Sequence, residues 1–165
     1  LYSVQTGEIR SRGIELEAKA AVNENINVTA AYSYNDAEYT EDTIFKGKRP
    51  AEVPRNQASL WTDYTFYDTA LSGLTFGAGV RYTGSTVSYY KNDAAKKNEA
   101  FSVAGYAVAD AMVKYDLGRF GLPGSSVAVN VNNLFDRDYV SSCYSEYACY
   151  WGAERQVVAT ATFRF

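Results

Sequence analysis

The chain has 165 residues, a formal net charge of −3 and no histidine. Its length suits one domain, and its weak negative charge gives no electrostatic footprint for nucleic acid. Aromatic residues make up 15% of the chain, most of them tyrosine, which is typical of strand-rich proteins. The absence of an apolar run of about 18 residues excludes a transmembrane helix, but a transmembrane strand needs only about 10 residues, half of them apolar.

Period-2 alternation of apolar and polar residues predicts strands along the whole chain. The predicted strands are residues 14–20, 27–35, 59–66, 74–83, 107–116, 127–132 and 156–165. One face of each is apolar but modest in size, and the other carries charged residues or asparagine in most of them. Aromatic residues lie near the strand ends, as in the girdles of membrane barrels. They are Tyr32, Tyr34, Tyr64, Phe66, Tyr82, Tyr115, Phe163 and Phe165.

The connections between predicted strands alternate strictly in length. Short ones, at residues 22–26, 68–73 and 117–125, alternate with long ones at residues 40–55, 88–105 and 134–152. Short periplasmic turns and long extracellular loops alternate in this way in bacterial barrels. The pattern therefore predicts an all-β fold, a transmembrane antiparallel β-barrel, over an ordinary half-buried sheet or a soluble β-sandwich.

The number of predicted strands bears on completeness. Seven is an odd number, whereas bacterial single-chain barrels have an even number of strands, from eight upward. In addition, unpaired strand edges in lipid cost several kcal/mol for each unsatisfied backbone group. The chain also begins at Leu1 with neither an initiator methionine nor a signal peptide. We therefore expect a fragment, residues 1–165 being the C-terminal part of a larger barrel, with residues 1–7 on the extracellular side.

Two features near the C-terminus carry a family resemblance. Residues 131–139 read Val-Asn-Asn-Leu-Phe-Asp-Arg-Asp-Tyr, which resembles the Asn-Leu-Phe-Asp-x-x-Tyr signature preceding the last strand of TonB-dependent receptors. The chain ends at Phe165 on an alternating strand, which resembles the assembly signal of outer-membrane barrels. Together, at this spacing, the two features form a specific resemblance to the TonB-dependent receptors.

A narrower resemblance covers nearly the whole chain. Residues 142–155, which contain Cys143 and Cys149, resemble the last extracellular loop of the hydroxamate-siderophore receptors. Residues 151–165 are most similar to the ferrichrome receptors, and residues 7–17 and 59–66 also fit. Ferrioxamine and coprogen receptors are close relatives, and the polar loop 88–105, with Lys91, Lys96 and Lys97, could mark one of them.

The resemblance implies the last seven strands of a 22-stranded barrel in the outer membrane of a Gram-negative bacterium. It also implies a plug domain and a TonB box outside this chain, and energy-dependent import of a ferric hydroxamate siderophore, with ferrichrome as the first choice. Implied partners are the rest of the barrel, the TonB complex, lipopolysaccharide and, as in related receptors, phages or colicins. A ferrioxamine or coprogen receptor, or a passive porin-type barrel, are the alternatives.

No enzymatic chemistry is expected. Without histidine the chain can form neither a histidine metal site nor a Ser-His-Asp triad, and two cysteines do not make a zinc site. Glu15 and Glu17 are interpreted as charge lining of a wet lumen. Hydroxamate oxygens already fill the coordination shell of ferric iron, so the protein needs no iron ligand and no covalent cofactor. Aromatic faces and a few hydrogen-bond donors suffice to hold the chelate.

The candidate binding residues lie in the cysteine-containing loop. Cys143 and Cys149 are expected to form a disulfide, because an exported chain passes through an oxidising compartment. Tyr144, Tyr147 and Tyr150 are candidates for siderophore contacts, Tyr144 foremost because its position matches a ligand-contacting aromatic residue of the ferrichrome receptors. Trp151 is interpreted as a girdle residue. The basic residues Lys46, Lys48 and Arg49 could contact lipopolysaccharide phosphates, or form a solvated turn.

Overall fold

The computed structural model describes residues 7–164, and their regular structure is almost entirely β-strand. The strands are β1 (Glu8–Ala21), β2 (Ile26–Glu41), β3 (Asn56–Thr65), β4 (Leu74–Thr83), β5 (Thr86–Tyr89), β6 (Ala100–Val103), β7 (Tyr106–Asp116), β8 (Ser126–Asn132), β9 (Val140–Ser145), β10 (Ala148–Trp151) and β11 (Gln156–Thr162). One 3₁₀ turn covers Gly118–Phe120. No helix in this part of the chain is long and apolar enough to cross a membrane.

Seven strands form one antiparallel sheet in the order β1-β2-β3-β4-β7-β8-β11, here called the strand wall. These are the seven strands that the alternation predicted, although β1 and β2 are longer than expected. The short turns lie at one edge of the wall and the long loops at the other, as the loop lengths predicted. Gly7 lies beside Glu41 at the long-loop edge, and residues 1–6 and Phe165 lie outside the described residues.

The two faces of the strand wall differ because paired residues of antiparallel strands point to the same side. A level is here a row of residues paired in register from strand to strand. One level that crosses all seven strands consists of Ala20, Val28, Thr62, Ala78, Ala111, Val131 and Val157. The level next to it, on the opposite face, reads Ala21, Asn27, Asp63, Gly77, Met112, Asn130 and Val158. At these levels the first face is apolar except for Thr62 and the second is mixed and polar, as a lipid-facing and a lumen-facing surface require.

Aromatic side chains form two bands on the apolar face. Tyr32 and Tyr82 share one level, because both pair with Ala58. Tyr64 and Phe76 pair with each other nearer the short-turn edge, where Tyr64 and Phe66 rings lie 4.8 Å apart. Six residues of strand separate Tyr82 from Phe76, which is about 20 Å. That spacing matches an apolar band bounded by aromatic girdles.

On the polar face, Trp61 lies flat against the backbone of β4. Its register partner is Gly79, where an added Cβ would stand 2.5 Å from Trp61 Cε3, and a Cβ added at Gly77 would overlap Trp61 Cζ2. Glycine is required at these positions because the ring occupies the space of a side chain. The pairing fixes the indole on the lumen side.

Both ends of the strand wall are open. β1 and β11 are its outermost strands, and each has one long side with no strand partner among residues 7–164. Burial is concentrated elsewhere, at the long-loop edge, where the buried apolar residues include Tyr89, Val103, Val108 and Cys143. Most of the buried apolar residues among residues 7–164 therefore lie in or next to the long loops.

Candidate functional site

Three long loops meet at one edge of the strand wall. Loop A comprises residues 42–55, loop B residues 84–105 with the hairpin β5–β6, and loop C residues 133–155 with the hairpin β9–β10. Neither hairpin was predicted from the sequence. Short strands of four to six residues inside loops show too little alternation to be recognised by period.

The base of loop C is organised by Asn133, the first residue of the Asn-Leu-Phe-Asp-x-x-Tyr motif. Asn133 is buried and has a left-handed backbone, with φ of 52°, a conformation that asparagine tolerates better than most residues. Its side-chain amide donates to Arg137 O at 2.9 Å and Ala153 O at 3.1 Å, and its Oδ1 accepts from Arg137 N at 2.9 Å. One side chain thus joins both ends of the loop.

The motif is also anchored to the strand wall through Asp110 of β7. This nearly buried carboxylate accepts the Asn133 N–H at 2.9 Å and a two-point contact from the Arg81 guanidinium, the strong geometry of an arginine–carboxylate pair. Leu134 N donates to Ala109 O at 2.7 Å. The signature that suggested the family is therefore a junction that fixes the direction in which loop C leaves the wall.

Aromatic stacking completes this junction. The Tyr139 ring, at the end of the motif, stacks on Tyr106 with centroids 4.1 Å apart. Gly152 lies against the other side of Tyr139, where any Cβ would overlap the ring. Gly152 N also donates to Tyr139 O at 2.8 Å. A side chain at residue 152 would displace the ring, so glycine is needed there for close approach.

Cys143 and Cys149 form a disulfide across the β9–β10 hairpin, which confirms that prediction. Cys143 is buried. Tyr150 pairs with Ser142, whereas Tyr144 lies at an irregularity in the pairing between Cys143 and Ser145. Both tyrosines are 58% exposed. Tyr147 lies at the tip and is 82% exposed. All three candidate tyrosines are therefore exposed on the same hairpin, Tyr147 the most.

Loop C is docked on loop B through Glu146, which lies between the two cysteines. Its carboxylate accepts the backbone N–H groups of Lys91 at 3.0 Å, Asn92 at 2.8 Å and Asp93 at 3.0 Å. These bonds, that of Lys91 foremost, hold the pKa of Glu146 below its ordinary value. The Lys91 ammonium lies 3.0 Å from the centroid of the Tyr144 ring. The two hairpins are thus joined at both Glu146 and Tyr144.

Loop A is joined to loop B by the basic residues that were considered for lipopolysaccharide contact. Lys48 Nζ donates to Asn98 O at 2.9 Å and lies over the rings of Phe45 and Tyr89. The buried Tyr89 hydroxyl donates to Arg49 O at 2.6 Å, and burial raises its pKa. Lys48 and Arg49 therefore serve contacts within the loops, and Lys46 remains exposed.

Sequence reasoning missed Asp110, Arg81, Glu146 and the contact of Lys91. Glu146 could have been singled out by its place between two cysteines, but nothing local indicates that its partners lie more than fifty residues earlier. Within residues 7–164, no group of three His, Cys, Asp or Glu side chains is placed to hold a metal ion. Glu15 and Glu17 lie on the polar face of β1, where Glu17 pairs with the exposed Lys19 at 2.7 Å.

Comparison with known proteins agrees with this architecture. The family model described as TonB dependent receptor-like, beta-barrel matches residues 1–134. The chain is 59% identical over 164 residues to the ferrichrome outer membrane transporter/phage receptor of Escherichia coli (strain K12), covering 99% of this chain and 21% of that protein. It is 40% identical over 160 residues to the ferrioxamine B receptor of Salmonella typhimurium (strain SL1344), covering 96% of this chain and 22% of the receptor.

A solved structure shows the same fold. The chain is similar, with a TM-score of 0.71 and 28% identity, to the ferripyoverdine receptor of the outer membrane of Pseudomonas aeruginosa, over 92% of this chain and 19% of that one. The chain thus belongs to the TonB-dependent receptor-like β-barrel family, as the C-terminal motifs predicted. Its place is the outer membrane of a Gram-negative bacterium. It spans about a fifth of the length of the curated relatives it matches.

Proposed function

We propose that this chain is the C-terminal part of a 22-stranded receptor barrel that imports ferric hydroxamate siderophores, ferrichrome first among them, in a TonB-dependent manner. The open sides of β1 and β11 support a larger barrel, because unpaired backbone groups in lipid cost several kcal/mol each. The relatives support siderophore import, since they are named as receptors or transporters of siderophores. The chain is 59% identical to one named as a ferrichrome transporter. A passive porin has no comparable support.

The observation that carries the proposal is that Tyr144 and Tyr150 are exposed on a disulfide-closed hairpin at the long-loop edge. A closed hairpin limits how far its aromatic side chains move, which lowers the ordering cost of binding. Tyrosine offers a flat apolar face to a chelate scaffold and a hydroxyl that can donate to a hydroxamate oxygen. Tyr147, which is more exposed, is a third candidate contact at the tip.

The direct test is equilibrium binding of ferrichrome to the full-length receptor and its Tyr144→Ala variant. We expect affinity to fall by about 1–3 kcal/mol, the range of a truncated aromatic hot spot, with smaller losses for Tyr150→Ala and Tyr147→Ala. Tyr67→Ala is the matched control, because Tyr67 is similarly exposed but lies in the turn at the opposite edge of the wall. Equal affinities of Tyr144→Ala and Tyr67→Ala would leave Tyr144 with a packing role only.

A ferrioxamine is the second candidate ligand, because the 40% identical relative is a ferrioxamine B receptor; a coprogen rests on resemblance alone. Partners proposed with this function are the TonB complex, acting through a part of the receptor outside this chain, and lipopolysaccharide near the exposed Lys46. Phage or colicin binding is proposed from the relative that is named a phage receptor.

A further inference from the structure

The tip of loop B is held against loop C by side-chain-to-backbone contacts that fix Lys91. Glu146 Oε2 accepts the Lys91 N–H, and Glu146 Oε1 accepts those of the next two residues. Three hydrogen bonds to one carboxylate are charge-assisted and hold the local backbone in a single arrangement. The start of the Lys91 side chain is therefore fixed relative to the cysteine-closed hairpin, although the residue itself is exposed.

The far end of the Lys91 side chain lies on the candidate binding residue. Its ammonium is 3.0 Å from the centroid of the Tyr144 ring, within the range of a cation–π contact. Among residues 7–164 it forms no ion pair with a carboxylate. Lys91 therefore brings a positive charge without an ion-pair partner to one face of Tyr144, while more than half of Tyr144 stays exposed.

We propose that Lys91 is a charge-selectivity residue of the receptor, favouring neutral or anionic ferric hydroxamates and disfavouring those that carry a free ammonium group. A chelate that contacts the exposed part of Tyr144 would lie close to the Lys91 ammonium. Two like unit charges about 6 Å apart, in an environment between water and protein interior, repel each other enough to lower the affinity roughly tenfold. This inference rests on the proposed function, because it assumes that Tyr144 contacts the chelate.

The experiment compares affinities of the full-length receptor for uncharged ferrichrome and for ferrioxamine B, a linear trihydroxamate with a free ammonium group. The variants are Lys91→Met, which removes the charge and shortens the side chain by one atom, and Lys91→Glu, which reverses the charge. Lys97→Met is the matched control, since Lys97 lies exposed in the turn of the same hairpin and its loss changes the net charge equally. An uncharged cyclic ferrioxamine controls for chelate shape.

We expect Lys91→Met to raise the affinity for ferrioxamine B relative to ferrichrome by about tenfold, and Lys91→Glu by more. The gain should shrink at about 1 M salt, because screening there acts within a few ångströms, and it should be absent for the cyclic ferrioxamine and for Lys97→Met. An unchanged ratio in both Lys91 variants would overturn the selectivity role alone. If the wild-type receptor binds none of these chelates, the proposed function fails and the inference fails with it.

Discussion

In the strand wall, the same antiparallel backbone pairing repeats from strand to strand, whereas loops A, B and C are held by contacts of several different kinds. The wall is stabilised by backbone pairing and by an apolar face that suits lipid, so its stability is spread over many residues. The loops are stabilised by a few side chains, such as Asn133 and Glu146, each of which satisfies several backbone groups. The effect of a substitution on stability should therefore depend, in the wall, on whether the residue faces lipid or lumen. In the loops it should depend on which particular side chain is lost.

The largest effect is expected from a charge on the apolar face of the wall. Val129 lies at the centre of β8, pairs with Val113 and Ala159, and is 43% exposed on the lipid side. Val129→Arg should destabilise the folded receptor by up to about 2–4 kcal/mol, the limit that arginine on the lipid face reaches at the bilayer midplane. Denaturant unfolding of the receptor in lipid vesicles measures this loss.

Asn130→Arg is the matched control, because Asn130 is the next residue on the same strand but points to the polar face. It should cost far less than Val129→Arg. Similar losses for both variants would mean that the faces are assigned the wrong way round or that neither faces lipid.

An intermediate effect is expected at the junction beneath loop C. Asn133→Ala removes three part-buried hydrogen bonds between the Asn133 side chain and the backbone and places alanine at a positive φ. Each unsatisfied buried group costs about 1–3 kcal/mol, so amide hydrogen exchange in loop C should rise strongly while the wall stays protected.

Asn133→Gly separates the two causes, since glycine adopts the positive φ without strain. Most of the increase in exchange should persist in this variant. Exchange restored to the wild-type rate by glycine would show that backbone conformation, and not the amide hydrogen bonds, organises the loop.

The smallest effect is a pH dependence of docking between loops B and C. Because backbone N–H groups lower the pKa of Glu146, its contribution is fully present above the ordinary glutamate pKa and is lost as pH falls through the lowered value. The distance between labels at positions 97 and 147 should therefore increase, or broaden, as pH falls from about 7 to about 3.

Glu146→Gln should abolish this transition, since an amide has one acceptor oxygen and cannot replace a carboxylate that binds three N–H groups. Glu154→Gln, at an exposed acid in the same loop, should leave it intact. A transition that survives in Glu146→Gln would assign the pH dependence to another group.

The same contrast explains how far the sequence alone predicts this molecule. The seven wall strands, their two faces and the sorting of loops follow from period-2 patterning and loop lengths, which are local properties. The contact of Glu146 with residues 91–93 joins segments more than fifty residues apart, and no local pattern encodes it. The disulfide was predictable because the chain has only two cysteines, whereas the direction of Tyr144 depends on the register of a hairpin that the sequence did not reveal.

The indole of Trp61, seated on the glycine backbone of β4, makes the wall optically observable. Its fluorescence depends on the pairing of β3 with β4, so it reports the moment when these strands come together during insertion. The chain has only one other tryptophan, Trp151, which is 73% exposed in loop C. With Trp151→Phe and the tryptophans outside this chain replaced, the emission of Trp61 would time the closure of this part of the wall without any added dye.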